Sequence, residues 1–187
     1  MAVVHHTTVS PSKVELLTEW LPAQSWYRGT GAAPRLAKAG GFRLDDPAGE
    51  VGIEFLVVTD TADAEPVSYL VPMAYRGEPL PDAPTEALVG TAEHGVLGTR
   101  WFYDGGYDPV VLAQLAALLR GETTAQHQDE SDTPEPTVTV TPDPRATAAT
   151  VRLTRVLTPA TTGPLTAGWT GPDGAPTRSA FAATAGS

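Results

Sequence analysis

Two apolar runs, IEFLVVT at 53–59 and VSYLVPM at 67–73, stand a short polar stretch apart and constrain the fold more than any other feature. Both are rich in β-branched and aromatic side chains, which suit a pleated, half-buried surface. With TADAE between them they predict an antiparallel hairpin. The connection is longer than a two-residue turn, so its type and register stay open.

Helices are expected on either side of this hairpin. In SPSKVELLTEWL (10–21), Ser12 and Glu15 have the spacing of a capping box, and Ser10 before Pro11 offers an alternative start. Val14, Leu17 and Leu21 share one face, Leu16 and Trp20 lie beside it, and Pro22 ends the helix. Further on, GEPLPDAP (77–84) is a Pro-rich loop, and TEALVGTAEHG after it predicts one or two helical turns. VLGTRWFY reads as a strand that Gly98 weakens, and a further short strand is expected at 42–44. Asp108 and Pro109 supply the cap and first residue of a second helix, VVLAQLAALL, which Gly121 stops.

The composition changes at GETTAQHQDESDTPEP, 121–136, an acidic, Pro-containing linker or loop where the domain boundary is placed. It separates residues 1–120 from 137–187, which read as strands around turns, with a hairpin turning at GPDGAP. That tail is thin in large apolar side chains, so it is expected to pack on the first region and not to fold alone.

Bulk properties narrow the function. Twelve Lys and Arg against twenty-two Asp and Glu give a net charge of -10, which disfavours nucleic acid and anionic membranes as partners. No cysteine is present, which removes thiol chemistry and thiolate metal sites and fits a cytoplasmic address. No run approaches the roughly 18 apolar residues of a membrane span.

HGVLGTRWFYDGGYDP, 94–109, concentrates the chemically capable side chains. His94, Arg100, Asp104 and Asp108 would need to converge to act as acid, base or electrostatic groups. Strand alternation, helix capping and ion pairing give each of them a structural duty instead. Trp26, Tyr27, Arg28 and Arg35 form a candidate aromatic and cationic contact patch, to which Arg100 and Trp101 are added. His5, His6 and His94 form no close ligand set, and His127 amid Asp129, Glu130 and Asp132 offers at most a weak metal site that reads better as a solvated acidic loop, so no metal is expected. No glycine-rich phosphate motif follows a strand, and Lys13 and Lys38 both precede the first confident strand. Self-contained phosphotransfer and any cofactor are therefore not expected.

LLTEWLPAQSWYRGTG, SYLVPMAYRGEPL and HGVLGTRWFYDGGYDP occur in an order and spacing that resemble the N-terminal cap domain of actinobacterial maltokinases, over about residues 8–120. Those enzymes convert maltose and ATP to maltose 1-phosphate for α-glucan synthesis and are similar to aminoglycoside phosphotransferases. The resemblance implies an α+β fold, a cystatin-like curved antiparallel sheet with packed helices, followed here by a small β-rich extension. It also implies that Tyr69, Arg100 and Trp101 are framework residues. The family's catalytic base, metal ligands and sugar-binding residues belong to a later kinase lobe without counterpart in this sequence, so no catalytic residue carries over. The expected function is a non-catalytic, stand-alone cap-like protein that binds or regulates a maltokinase or another protein of trehalose and α-glucan metabolism. An oligosaccharide-binding module using Trp26, Trp101 or Trp169 is the alternative, and a kinase-related enzyme component the third reading. A homodimer through the surface left uncovered is also expected.

Overall fold

A computed structural model describes residues 9–130 and 132–185. The central hairpin forms as β3 (Val51–Asp60) and β4 (Val67–Arg76), antiparallel and in register from Val51↔Arg76 to Asp60↔Val67. Both faces of β3 are buried: Val51, Ile53, Phe55 and Val57 enter one apolar cluster, Leu56 and Val58 another. Burial on two sides explains why the run is apolar almost throughout and not alternating. β2 (Leu36–Leu44) flanks β3, longer than the short strand expected.

Helix α1 (Lys13–Trp20) starts with the capping box read from Ser12 and Glu15, and Leu21–Ala23 continues it as a 3₁₀ turn. Its Leu16, Leu17 and Trp20 are buried in one apolar cluster with Leu56, Val58, Val71, Met73, Val89 and Phe102. Trp20 Nε1 donates to the carbonyl of Glu86 at 2.9 Å and fixes the loop that follows β4.

The helical turns expected in TEALVGTAEHG are corrected by the structure. Only Thr85–Ala87 turns, as 3₁₀, and β5 (Leu88–His94) follows at once. Tertiary packing overrides local propensity here: Val89 and Ala92 are buried, and a Cβ on Gly90 would stand 2.7 Å from Leu16 Cδ2. β5 pairs with β6 (Gly98–Asp104), with a register shift between Leu88 and Gly90, and β6 lies beside 73–76 of β4. β1 (Val9–Ser10) pairs with β5. Helix α2 (Pro109–Leu119) begins at its Asp108 cap and buries Val111, Leu115, Leu118 and Leu119.

Residues beyond 137 enter the same sheet. β7 (Thr139–Val140), β8 (Val151–Leu153) and β9 (Val156–Leu157) are short, whereas β10 (Leu165–Thr170) and β11 (Pro176–Thr184) form a hairpin that turns at GPDG. β10 meets β2 at Trp169↔Gly40, and β7 pairs with β10. β8 pairs with β11 while β9 pairs with β4, so the segment 151–157 joins the far hairpin to the central one.

The result is one 11-stranded sheet with the path β1-β5-β6-β4-β3-β2-β10-β11-β8, antiparallel in every described pairing. This corrects the cystatin-like expectation: the fold is α+β, but its sheet is not curled around a helix. The physical reason lies in the outer strands. Strands from the C-terminal part extend the sheet past β2, and their side chains, Leu165, Trp169 and Phe181 among them, fill the face together with α2. Phe42 stacks between Phe55, with ring centroids 4.7 Å apart, and Phe181, at 5.9 Å, so aromatic packing crosses from one part of the chain to the other.

Candidate functional site

The segment 94–109 does not gather its polar groups into one place. Asp108 is fully buried, caps α2 through Val110 N at 2.9 Å, and accepts from Arg76 Nε at 2.6 Å and Nη2 at 2.9 Å. That contact holds the Arg76 guanidinium above its usual range, burial opposing it. Asp104 is also buried and accepts both from Gly106 N and from Arg155 Nη2, at 2.9 and 2.7 Å. His94 stands at the end of β5, where its Nδ1 accepts from Val96 N at 3.3 Å and Leu97 N at 3.2 Å and holds the β5–β6 turn. Arg100 is half-buried and donates to its neighbour's carbonyl, that of Thr99. Each acid already has its own cation or amide partners, so no acid–base pair shares a substrate position.

Trp26 and Tyr27 come together with Tyr69, but as a packing centre. Trp26 lies 5.9 Å from Trp20 and 5.9 Å from Tyr69, and the Arg155 guanidinium sits 5.0 Å above its ring. Tyr27 stacks obliquely on Tyr69 and donates to Asp60 at 2.8 Å; burial, then Asp60, pushes its phenol well up. Tyr69 is fully buried and its hydroxyl accepts from Arg28 N at 3.0 Å. The side chains of Arg28 and Arg35 are exposed, the latter beside the carbonyls of Thr61 and Ala62. Trp101 pairs with Arg76 on β4, seven positions from Tyr69, which puts it roughly 20 Å along the sheet from this centre. Trp169 is buried with its Nε1 on Ser179 Oγ at 2.9 Å, which withdraws it as a stacking platform.

A polar centre that the sequence reading missed lies on β3. Glu54 is buried and takes contacts from the Lys13 ammonium of α1, the Tyr75 hydroxyl of β4, and Gln128 Nε2 at 2.8 Å. Burial alone would raise its pKa, but Lys13 and Tyr75 outweigh burial and hold the carboxyl below its usual range. Burial, then Glu54, pushes the Tyr75 phenol well up. The available signal was the single acid inside the otherwise apolar run IEFLVVT, which demands a buried partner.

The acids of 121–136 do not form a metal centre. His127 Nδ1 accepts from Asp129 N, and Asp129 pairs with exposed Lys38 at 3.3 Å. Among the described residues no three His, Asp or Glu stand where they could hold a metal ion; His5 and His6 lie outside those residues. No helix is long and apolar enough to cross a membrane. An open groove of about 560 Å³, lined by Thr141, Asp143, Arg145, Pro164 and Thr184, lies wholly in the C-terminal part.

The hydrogen-bonded carboxylates and the packed aromatic centre tie strands, helix starts and the C-terminal part together. Residues 20–108 match the family model of the maltokinase N-terminal cap domain, and the chain contains that domain. The matched segment is a non-catalytic cap domain. The match ends at Asp108, the cap of α2, and covers a little under half of the sequence.

Proposed function

We propose that this chain is a non-catalytic binding or regulatory partner of a maltokinase, or of another protein of α-glucan metabolism, built as a cap completed by its own C-terminal strands. The observation that carries this reading is that strands beyond the matched segment pair with it on both sides. β10 lies on β2 and β9 lies on β4, and Arg155 supplies the counter-charge of Asp104. A cap completed in this manner presents its β5–β6 turn outward, where Val96 is 65% and Leu97 43% exposed. Adjacent apolar side chains at a well-held turn suit a protein contact, and the exposed Arg28 and Arg35 offer charged contacts elsewhere on the cap.

Calorimetric titration of the purified protein into the cognate maltokinase tests the reading. The expected result is measurable binding with a change in maltose phosphorylation rate, weakened at least about tenfold by Val96→Asp with Leu97→Asp. No heat and no activity change at tens of micromolar would remove that partner.

A further inference from the structure

We propose that Glu54 is a mechanical joint that couples helix α1 to the chain at 125–128. This stretch occupies the edge of β2 that β10 leaves uncovered. Arg43 and Gln126 exchange both backbone hydrogen bonds, each 2.9 Å, while the described pairing of β10 with β2 is at Trp169↔Gly40. Ala125 is buried, and two residues past Gln126 the chain is pinned by Gln128. Gly41 permits the close approach: its φ is +132°, and a Cβ there would stand 2.9 Å from Gln128 Nε2 and 2.0 Å from the Phe55 carbonyl oxygen.

The two oxygens of Glu54 divide the work. Oε2 receives Lys13 from α1 and Tyr75 from β4, whereas Oε1 receives Gln128 among the described residues. Lys38 adds a second positive charge from β2, and Arg43 acts on the neighbouring Tyr75. A hydrogen bond to an ionised carboxylate is about twice as strong as one to a neutral acceptor. Lys13 is the cation in direct contact with buried Glu54 and acts on it more strongly than Lys38, so displacing α1 removes most of what offsets burial and favours uptake of a proton. The Gln128 contact then weakens and the 125–128 stretch loosens, although Lys13 does not touch it. The backbone groups of Arg43 on the β2 edge become available for other pairing.

Amide hydrogen exchange on the intact chain reads this coupling. Lys13→Met is expected to speed exchange at the Arg43 and Gln126 amides about tenfold while leaving the β10–β11 amides unchanged. Gln128→Ala should do the same, and Lys13→Met should add little in the Gln128→Ala background. Lys13→Arg, which keeps the charge, should retain the original rates. Unchanged exchange at Arg43 and Gln126 in Lys13→Met overturns the proposal, as does equal acceleration of the β10–β11 amides, which marks general destabilisation.

Discussion

The two faces of the central hairpin are covered by different parts of the chain. On one face, α1 and the strands β3 to β6 supply Leu16, Leu17, Trp20, Leu56, Val58, Met73 and Phe102, all within the first 104 residues, with Val156 at the margin. On the other, Phe42, Phe55 and Leu70 of the matched segment meet α2 and Leu157, Leu165, Trp169 and Phe181 from the C-terminal part. Two acids four residues apart repeat the contrast: Asp108 is neutralised by Arg76 inside the match, Asp104 by Arg155 outside it. One face is a local structure, and the other is a joint between two stretches of sequence. The family segment is therefore structurally unfinished without the strands that follow it.

The harshest way to break this contrast is to end the chain at residue 136. That removes β7 to β11 and strips apolar cover mainly from one face, the other losing only Val156 and Arg155 at its margin. Loss of a cooperative urea transition is expected, because the cluster around Phe42 and Phe55 keeps α2 but loses Leu157, Leu165, Trp169 and Phe181. Arg155→Met is next: leaving Asp104 buried without its cation should cost about 3–5 kcal/mol in denaturant unfolding. Adding Asp104→Leu should restore most of that loss.

On the local face, Leu17→Ala removes a fully buried side chain and should cost about 3 kcal/mol. Ser12→Ala, which deletes the side-chain half of the capping box, should cost about 1 kcal/mol. The smallest effect belongs to Asp143, whose carboxyl Arg145 and the Thr184 hydroxyl hold down to about 2. A depressed carboxyl stabilises the fold above its unfolded value of about 3.9 and loses that contribution as pH falls through its folded value. The stability difference between the protein and Asp143→Asn should therefore be full at neutral pH and vanish on acidification towards pH 2. A constant difference across that range would assign the contact a role independent of charge.

The elements set by short-range rules were largely legible in the sequence. Ser12 with Glu15, Asp108 with Pro109, and the IEFLVVT and VSYLVPM runs each carry their structural instruction within a few residues. The GPDG turn of β10–β11 was readable for the same reason. The joint was not readable, since nothing near Asp104 in sequence names Arg155, fifty-one positions away. Glu54 is a similar case, drawing Lys13 from 41 positions before it and Gln128 from 74 after. β5 was misread because TEALVGTAEHG has helix-tolerant composition, and only pairing with β6 and contact with Leu16 make it a strand. The cystatin-like sheet failed because the reading ended the sheet at the cap, whereas the outer strands come from beyond 137. Of the candidate contact residues, Trp26 and Tyr27 are half-buried against Tyr69, Arg100 is half-buried on β6, and Arg28 and Arg35 stay exposed.

Differential scanning calorimetry of the intact chain tests the joint most directly. A shared apolar face predicts one transition whose calorimetric and van't Hoff enthalpies agree, shifted down as a whole by Arg155→Met. Two resolved transitions, with Arg155→Met moving only one of them, would contradict it and show that the cap segment and the C-terminal strands fold as separate units.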